Sequence, residues 1–299
     1  MRSGESPQDF HHSPARQAHC AGIVGRMPYT LSHAAAVLPL LRRGPLVGSA
    51  LVVGSFSPDL LYFIALEPGV DDRSHTWLGL LWIDLPVALA VLALYHALVV
   101  PAVLALVPGW LRIRLVDHVA PPRLGVVAVG WVVVSVLVGG VTHLVWDAFT
   151  HHTGWGVEHW PSLRLWLWEG MPRYNFLQYL SSVVGAVLVV VWWRRTLRRA
   201  VPATEVPPLY APPRRPGLVV GAVVASGVVL AVYRAVTVMA GVGGQSVMGF
   251  AHTLAAGVPP THTQLAAGLA RVSICLVTGA FVALLVVGLR QRIRARQPA

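Results

Sequence analysis

Five stretches of this chain, residues 78–107, 124–146, 177–193, 218–242 and 269–289, are each apolar over about the 20 residues that a helix needs to cross roughly 30 Å of hydrocarbon. Inside a bilayer no water satisfies the backbone, so only helices and closed barrels span it, and unbroken apolar runs of this length are helical. The expectation is an all-α polytopic membrane helix bundle. Composition agrees, since 55% of residues are hydrophobic and 12% charged, well below the roughly 25% charged share of soluble domains.

Before these runs lies a less regular pair. Residues 31–41 are too short to span, and residues 45–66 are interrupted by Ser55, Ser57, Pro58 and Asp59. Together they read as a helical hairpin turning at Arg42-Arg43-Gly44-Pro45, where Gly and Pro stop helices and Arg suits a helix C-terminus. Arginine then alternates between loops. It marks this turn, residues 108–123, residues 194–217 and the tail, whereas residues 243–268 carry none. The positive-inside rule assigns the arginine-rich loops to the cytoplasm.

The formal net charge of +11 raises nucleic-acid binding as a possibility. The arginines cluster at the ends of apolar runs, which is the pattern of membrane anchoring, so lipids rather than nucleic acid are the expected partners. Cys20 sits in a polar leader and Cys275 in an apolar run, which excludes a disulfide framework and a Cys-type zinc site. Residues 1–26 lack the apolar stretch of a signal peptide. They are expected to be disordered, with Met27 reading as a natural start. The organisation expected is a leader over 1–26, a membrane domain over 27–200, a Pro-rich linker over 201–217 and a two-helix membrane part over 218–299.

Ionisable groups at membrane depth are expensive and mark function or mutual pairing. From His33 to the hairpin turn is about 15 Å of helix, and from the turn to Asp59 about 21 Å back, so both finish near one end. His75 follows on that side, and two crossings later His143 and Asp147 share a helix face, with His151 extending the row if the helix continues. The His-x-x-x-Asp spacing is weak by itself, because chance yields roughly 0.3 matches in such a chain. The convergence of four segments is the stronger signal. Imidazole with carboxylate suits a divalent metal, with zinc expected and manganese or iron as alternatives. Each residue also has a plainer reading: His33 and Asp59 as helix-end or turn residues, His75 as an interfacial side chain, and His143 with Asp147 as an internal hydrogen bond. Asp84, about two turns into the next helix, reads as an acid orienting a ligand histidine or as a salt-bridge or proline-kink partner. His96 reads as structural and Gln178 as an interhelical contact. Arg234 reads as either functional or partner-bound.

The segments Met27-Pro28-Tyr29-Thr30-Leu31-Ser32-His33-Ala34-Ala35, Gly54-Ser55-Phe56-Ser57-Pro58-Asp59, Ser74-His75-Thr76 and His143-Leu144-Val145-Trp146-Asp147-Ala148-Phe149-Thr150 resemble, in order and spacing, the bacterial membrane family DUF4184, over residues 27–195. More distantly the chain is similar to membrane-bound metal-dependent hydrolases, which share a leading His, a Pro-Asp, a Ser-His or Thr-His and a His-x-x-x-Asp. The resemblance implies that His33, Asp59, His75, His143 and Asp147 hold a metal. The expected activity is metal-dependent hydrolysis of a lipid-derived or other phosphoester or ester at the outer face, with Asp147 and Asp84 as catalytic carboxylates. A proton- or cation-coupled transporter and a non-catalytic assembly protein are the alternatives.

Overall fold

The computed structural model describes residues 30–69, 72–119, 121, 125–168 and 171–297. The leader with Cys20, the Met27-Pro28-Tyr29 start of the family-like motif, Asp71 and Arg123 lie outside the described residues. Among those described, five helices are long and apolar enough to cross a membrane, and a bent pair makes up to six. The protein is an all-α polytopic helix bundle.

A short helix, α1 (Ala34–Val37), continues a single turn over Thr30–His33. The chain turns at Gly44, whose φ of 57° suits glycine, and returns as α2 (Gly48–Gly54) and α3 (Ser57–Ala65), bent by 50°. Sequence explains the bend. Pro58 has no N–H to give, while the Ser55 and Ser57 hydroxyls donate to the carbonyls of Val52 and Gly54 at 2.8 Å each. Helix α3 ends on Leu66 in a left-handed conformation.

Thr76 caps the next helix by accepting from the Gly79 N–H. This helix, α4 (Trp77–Leu106), contains two wide π turns, at Leu80–Asp84 and Tyr95–Val99. Each lies just before a proline, Pro86 or Pro101, whose ring cannot sit under the carbonyl four residues back. One such carbonyl, Ala97, instead accepts from Arg292 Nε. Arg112, on α5 (Gly109–Leu115), covers the open end of α4 by donating to the carbonyls of Leu104, Ala105 and Val107.

Next come α6 (Val126–Thr150), α7 (Trp155–His159) and a small antiparallel hairpin, β1 (Trp166–Trp168) with β2 (Met171–Pro172), which the sequence did not suggest. The last long helices are α8 (Arg173–Arg199), α9 (Pro216–Val242) and α11 (His262–Ala295), with α10 (Val247–Ala255) between the latter two. Helix α11 begins seven residues before the apolar run that announces it, because Thr261 and Gln264 form a capping box.

Small residues set the packing. A Cβ on Gly54 would strike the Val136 backbone and one on Gly139 the Leu51 carbonyl, so α2 and α6 touch backbone to backbone beside a core of Ala50, Ala88, Leu92, Val132 and Val136. Likewise Gly227 meets Gly279 between α9 and α11, and Gly288 brings α11 against Leu98 of α4. Large apolar side chains such as Val126, Val183, Leu218 and Val229 face outward, the arrangement of a bundle solvated by lipid.

Candidate metal centre

The hairpin bend, the loop before α4, the end of α6 and the turn before α1 meet at the arginine-poor end of the bundle. His33 arrives there because Ser32 lies against Gly185 of α8 in a space that a Cβ would fill. Asp59 is delivered by the bend, His75 by the turn Asp72–His75, and His143 and Asp147 by one face of α6. All except His75 are buried, and the His75 side chain is 22% exposed.

His143 is central. Its Nδ1 lies 2.9 Å from the Ser55 carbonyl, which can only accept, so Nδ1 carries the hydrogen and Nε2 offers a lone pair. That Nε2 stands 3.1 Å from Asp147 Oδ2 and 3.8 Å from Asp59 Oδ1. His75 turns its Nδ1 towards Ser74 Oγ, at 3.0 Å, and its Nε2 towards Asp59 Oδ1, at 3.3 Å, and Asp147 Oδ2, at 3.7 Å. The His33 ring stacks on His143 at 4.0 Å with its Nε2 3.8 Å from Asp147 Oδ1. Burial, reinforced by the neighbouring His143, lowers the His33 pKa to about 4, which leaves its ring neutral at pH 7.

His151 reaches the same carboxylate at 3.4 Å, though not by continuing the helical row. Helix α6 stops at Thr150, and His151 is extended. Its other nitrogen meets the Gln178 amide of α8 at 3.4 Å, so the interhelical contact expected of Gln178 is made to a site residue.

The donor set fits a metal ion. His33 Nε2, His143 Nε2, His151 Nδ1 and both Asp147 oxygens are buried without a hydrogen-bond partner. The close histidine–carboxylate approaches in the cluster run from 3.1 to 3.8 Å, and the ligand atoms of each possible triad lie within 4.8 Å of one another. Donors each about 2.1 Å from one ion stand roughly 3 to 4.3 Å apart. Two ligand triads stand out, His33 with His143 and Asp147, and Asp59 with His75 and His143. Two buried carboxylates, Asp59 and Asp147, also call for compensating positive charge.

Asp84 corrects one expectation. It is 1% exposed, and among the described residues neither carboxylate oxygen has a hydrogen-bond or salt-bridge partner. Among those residues the Ser55 carbonyl and the Ser74 hydroxyl, rather than Asp84, meet the rings of His143 and His75. The π turn before Pro86 is what turns this acid inward. Sequence reasoning missed Ser55, whose contribution is a backbone oxygen, together with Ser74 and Tyr62, whose hydroxyl is 3.5 Å from His75 Nδ1. His96 pairs with Ser49 at 3.0 Å, as a structural histidine does. His159 folds back onto the Trp155 carbonyl of its own turn.

No curated protein and no solved structure matches the chain. The sequence model of one family matches residues 27–289, running past the Pro-rich segment and almost to the end of α11, further than residue 195 where the motif resemblance stops. The chain belongs to the family described as Domain of unknown function (DUF4184).

Proposed function

We propose that this protein is a metal-dependent membrane hydrolase, acting on a lipid-derived or other phosphoester or ester at the outer face of a bacterial inner membrane. One observation carries the reading: five buried donor atoms of His33, His143, Asp147 and His151 lack hydrogen-bond partners and face one small volume that Asp59 and His75 complete. The structural His96, held by Ser49 on one nitrogen, leaves one such atom, whereas this cluster gathers five. A set this rich in unsatisfied donors supports a cation site.

A divalent ion, zinc by its mixed nitrogen and oxygen donors, supplies Lewis acidity and lowers the pKa of a bound water towards neutrality. The chain's own groups divide the remaining work. His33, Asp59, His75, His143 and Asp147 hold the ion, and His151 adds a donor beside Asp147. Asp84, buried with both oxygens unengaged, is the carboxylate placed to take up or return a proton. His75, the most exposed of the set with His151, marks the side from which a substrate approaches. An approach from the arginine-poor side, near the lipid headgroups, favours lipid esters as the substrate class.

The test is elemental analysis of detergent-purified protein together with hydrolysis of short-chain phospholipids in mixed micelles. Wild type is expected to carry about one zinc or manganese per chain and to release product in a chelator-sensitive reaction. The His143→Ala, Asp147→Ala double variant is expected to lose both. A metal-free wild-type preparation whose turnover survives all five ligand substitutions would end the reading.

A further inference from the structure

A second cluster of ionisable groups involves none of the metal-centre residues and forms where α9 and α11 meet the end of α3. Arg234 lies eight residues before the end of α9 and Arg271 nine after the start of α11. At 1.5 Å per residue, both stand about 12 to 14 Å in from the arginine-poor ends of their helices, at one level. Both reach a single carboxylate. Arg271 Nη2 donates to Glu67 Oε1 at 2.7 Å, and Arg234 Nη2 stands 3.7 Å from Glu67 Oε2. Arg271 Nη1 also donates to the Ala267 carbonyl at 2.8 Å, and Arg234 Nη2 approaches that of Leu66 at 3.5 Å.

The pairing is unbalanced. Two guanidiniums face one carboxylate, which leaves one positive charge in excess among the described residues, and the Nε atoms of both arginines are buried without a partner. A clamp between the carboxy-terminal helices and α3 needs one arginine for one glutamate, so the second is surplus to that role. The cluster also opens outward: the Arg271 side chain is 7% exposed, but those of Arg234 and Glu67 are 26% and 47% exposed. An excess guanidinium charge at membrane depth draws a counter-anion, and the planar fork of N–H donors matches the oxygens of a phosphate.

We propose that Arg234 and Arg271 form a binding site for a phosphate-class oxyanion, supplied by the phosphodiester of a lipid headgroup. The site is independent of the metal centre. The anion takes the donors that Glu67 leaves unused, and Glu67 competes with it for Arg271.

Native mass spectrometry of the full chain in an uncharged detergent tests this, using dioleoylphosphatidylglycerol and, as the phosphate-free probe, dioleoylglycerol with the same acyl chains. Wild type is expected to retain the phospholipid roughly tenfold better, the effect of about 1.4 kcal/mol in binding. Arg234→Gln is expected to abolish that preference, Arg234→Lys to weaken it, and Glu67→Gln to increase it. Equal retention of both lipids by wild type overturns the proposal, as does Glu67→Gln lowering phospholipid retention, which is the signature of a salt-bridge clamp alone. Inorganic phosphate at millimolar concentration forms the second arm: displacement of the lipid assigns the site to the free ion as well, and failure to displace assigns it to the headgroup.

Discussion

The Nδ1 atom of His143 and the carbonyl oxygen of Ser55 stand 2.9 Å apart across 88 residues of sequence, and this contact decides which ring nitrogen faces the acidic cluster. It exists because α2 and α6 approach through Gly54 and Gly139, where an added Cβ would overlap the opposing backbone. Gly139→Ala is therefore expected to push the helices apart, costing about 1 to 3 kcal/mol of stability and most of the metal content. Thermal unfolding and metal analysis on the same detergent preparation check both. An unchanged metal content in a folded variant would show that the Ser55 contact does not orient His143.

In the proposed centre His151 is an auxiliary donor. Its side chain is 20% exposed, and it shares its other nitrogen with Gln178 rather than with a backbone carbonyl. If Gln178 Oε1, otherwise buried without a partner, faces the ring, it accepts from Nε2–H and frees Nδ1 to ligate. Gln178→Leu is expected to weaken zinc affinity roughly 10- to 100-fold without abolishing binding, whereas His143→Ala abolishes it. Competition titration with a chromophoric chelator measures both.

His33 has a pKa lowered to about 4 from the ordinary 6.5, first by burial and then by His143. The unfolded chain takes up this proton before the folded one does. The stabilising contribution is therefore fully present above pH 6.5 and is lost as pH falls towards 4, at up to about 1.4 kcal/mol per pH unit. Melting of metal-free wild type and His33→Gln between pH 4 and 8 measures the difference. Parallel pH profiles for the two proteins would contradict the assignment.

Asp84 offers a separation of roles. Its carboxylate is absent from both possible ligand triads and, among the described residues, has no hydrogen-bond partner. Asp84→Asn is expected to leave metal stoichiometry unchanged while reducing turnover by about 10²-fold or more, the usual worth of a positioned proton-transfer group. Loss of metal in this variant would instead make Asp84 a ligand.

The sequence by itself determined the membrane character, the all-helical class, the number of long spans and the end of the bundle at which the His and Asp motifs gather. Those properties follow from the length of apolar runs, helical rise and the placement of arginine, all of which are local. Even there, short-range chemistry moved boundaries: the Thr261–Gln264 capping box lengthened α11, and prolines opened the π turns of α4. Only the tertiary structure decided which of the 13 histidines meet. His151 joins Asp147 from beyond the end of its helix, His96 does not join, and Asp84 is left without the partner its position suggested. Glu67, Arg234 and Arg271 likewise come together from the turn after α3 and from two helices, with no motif to announce them. The reason is physical: such meetings depend on how closely helix backbones approach and on carbonyls such as that of Ser55, which every residue type carries alike.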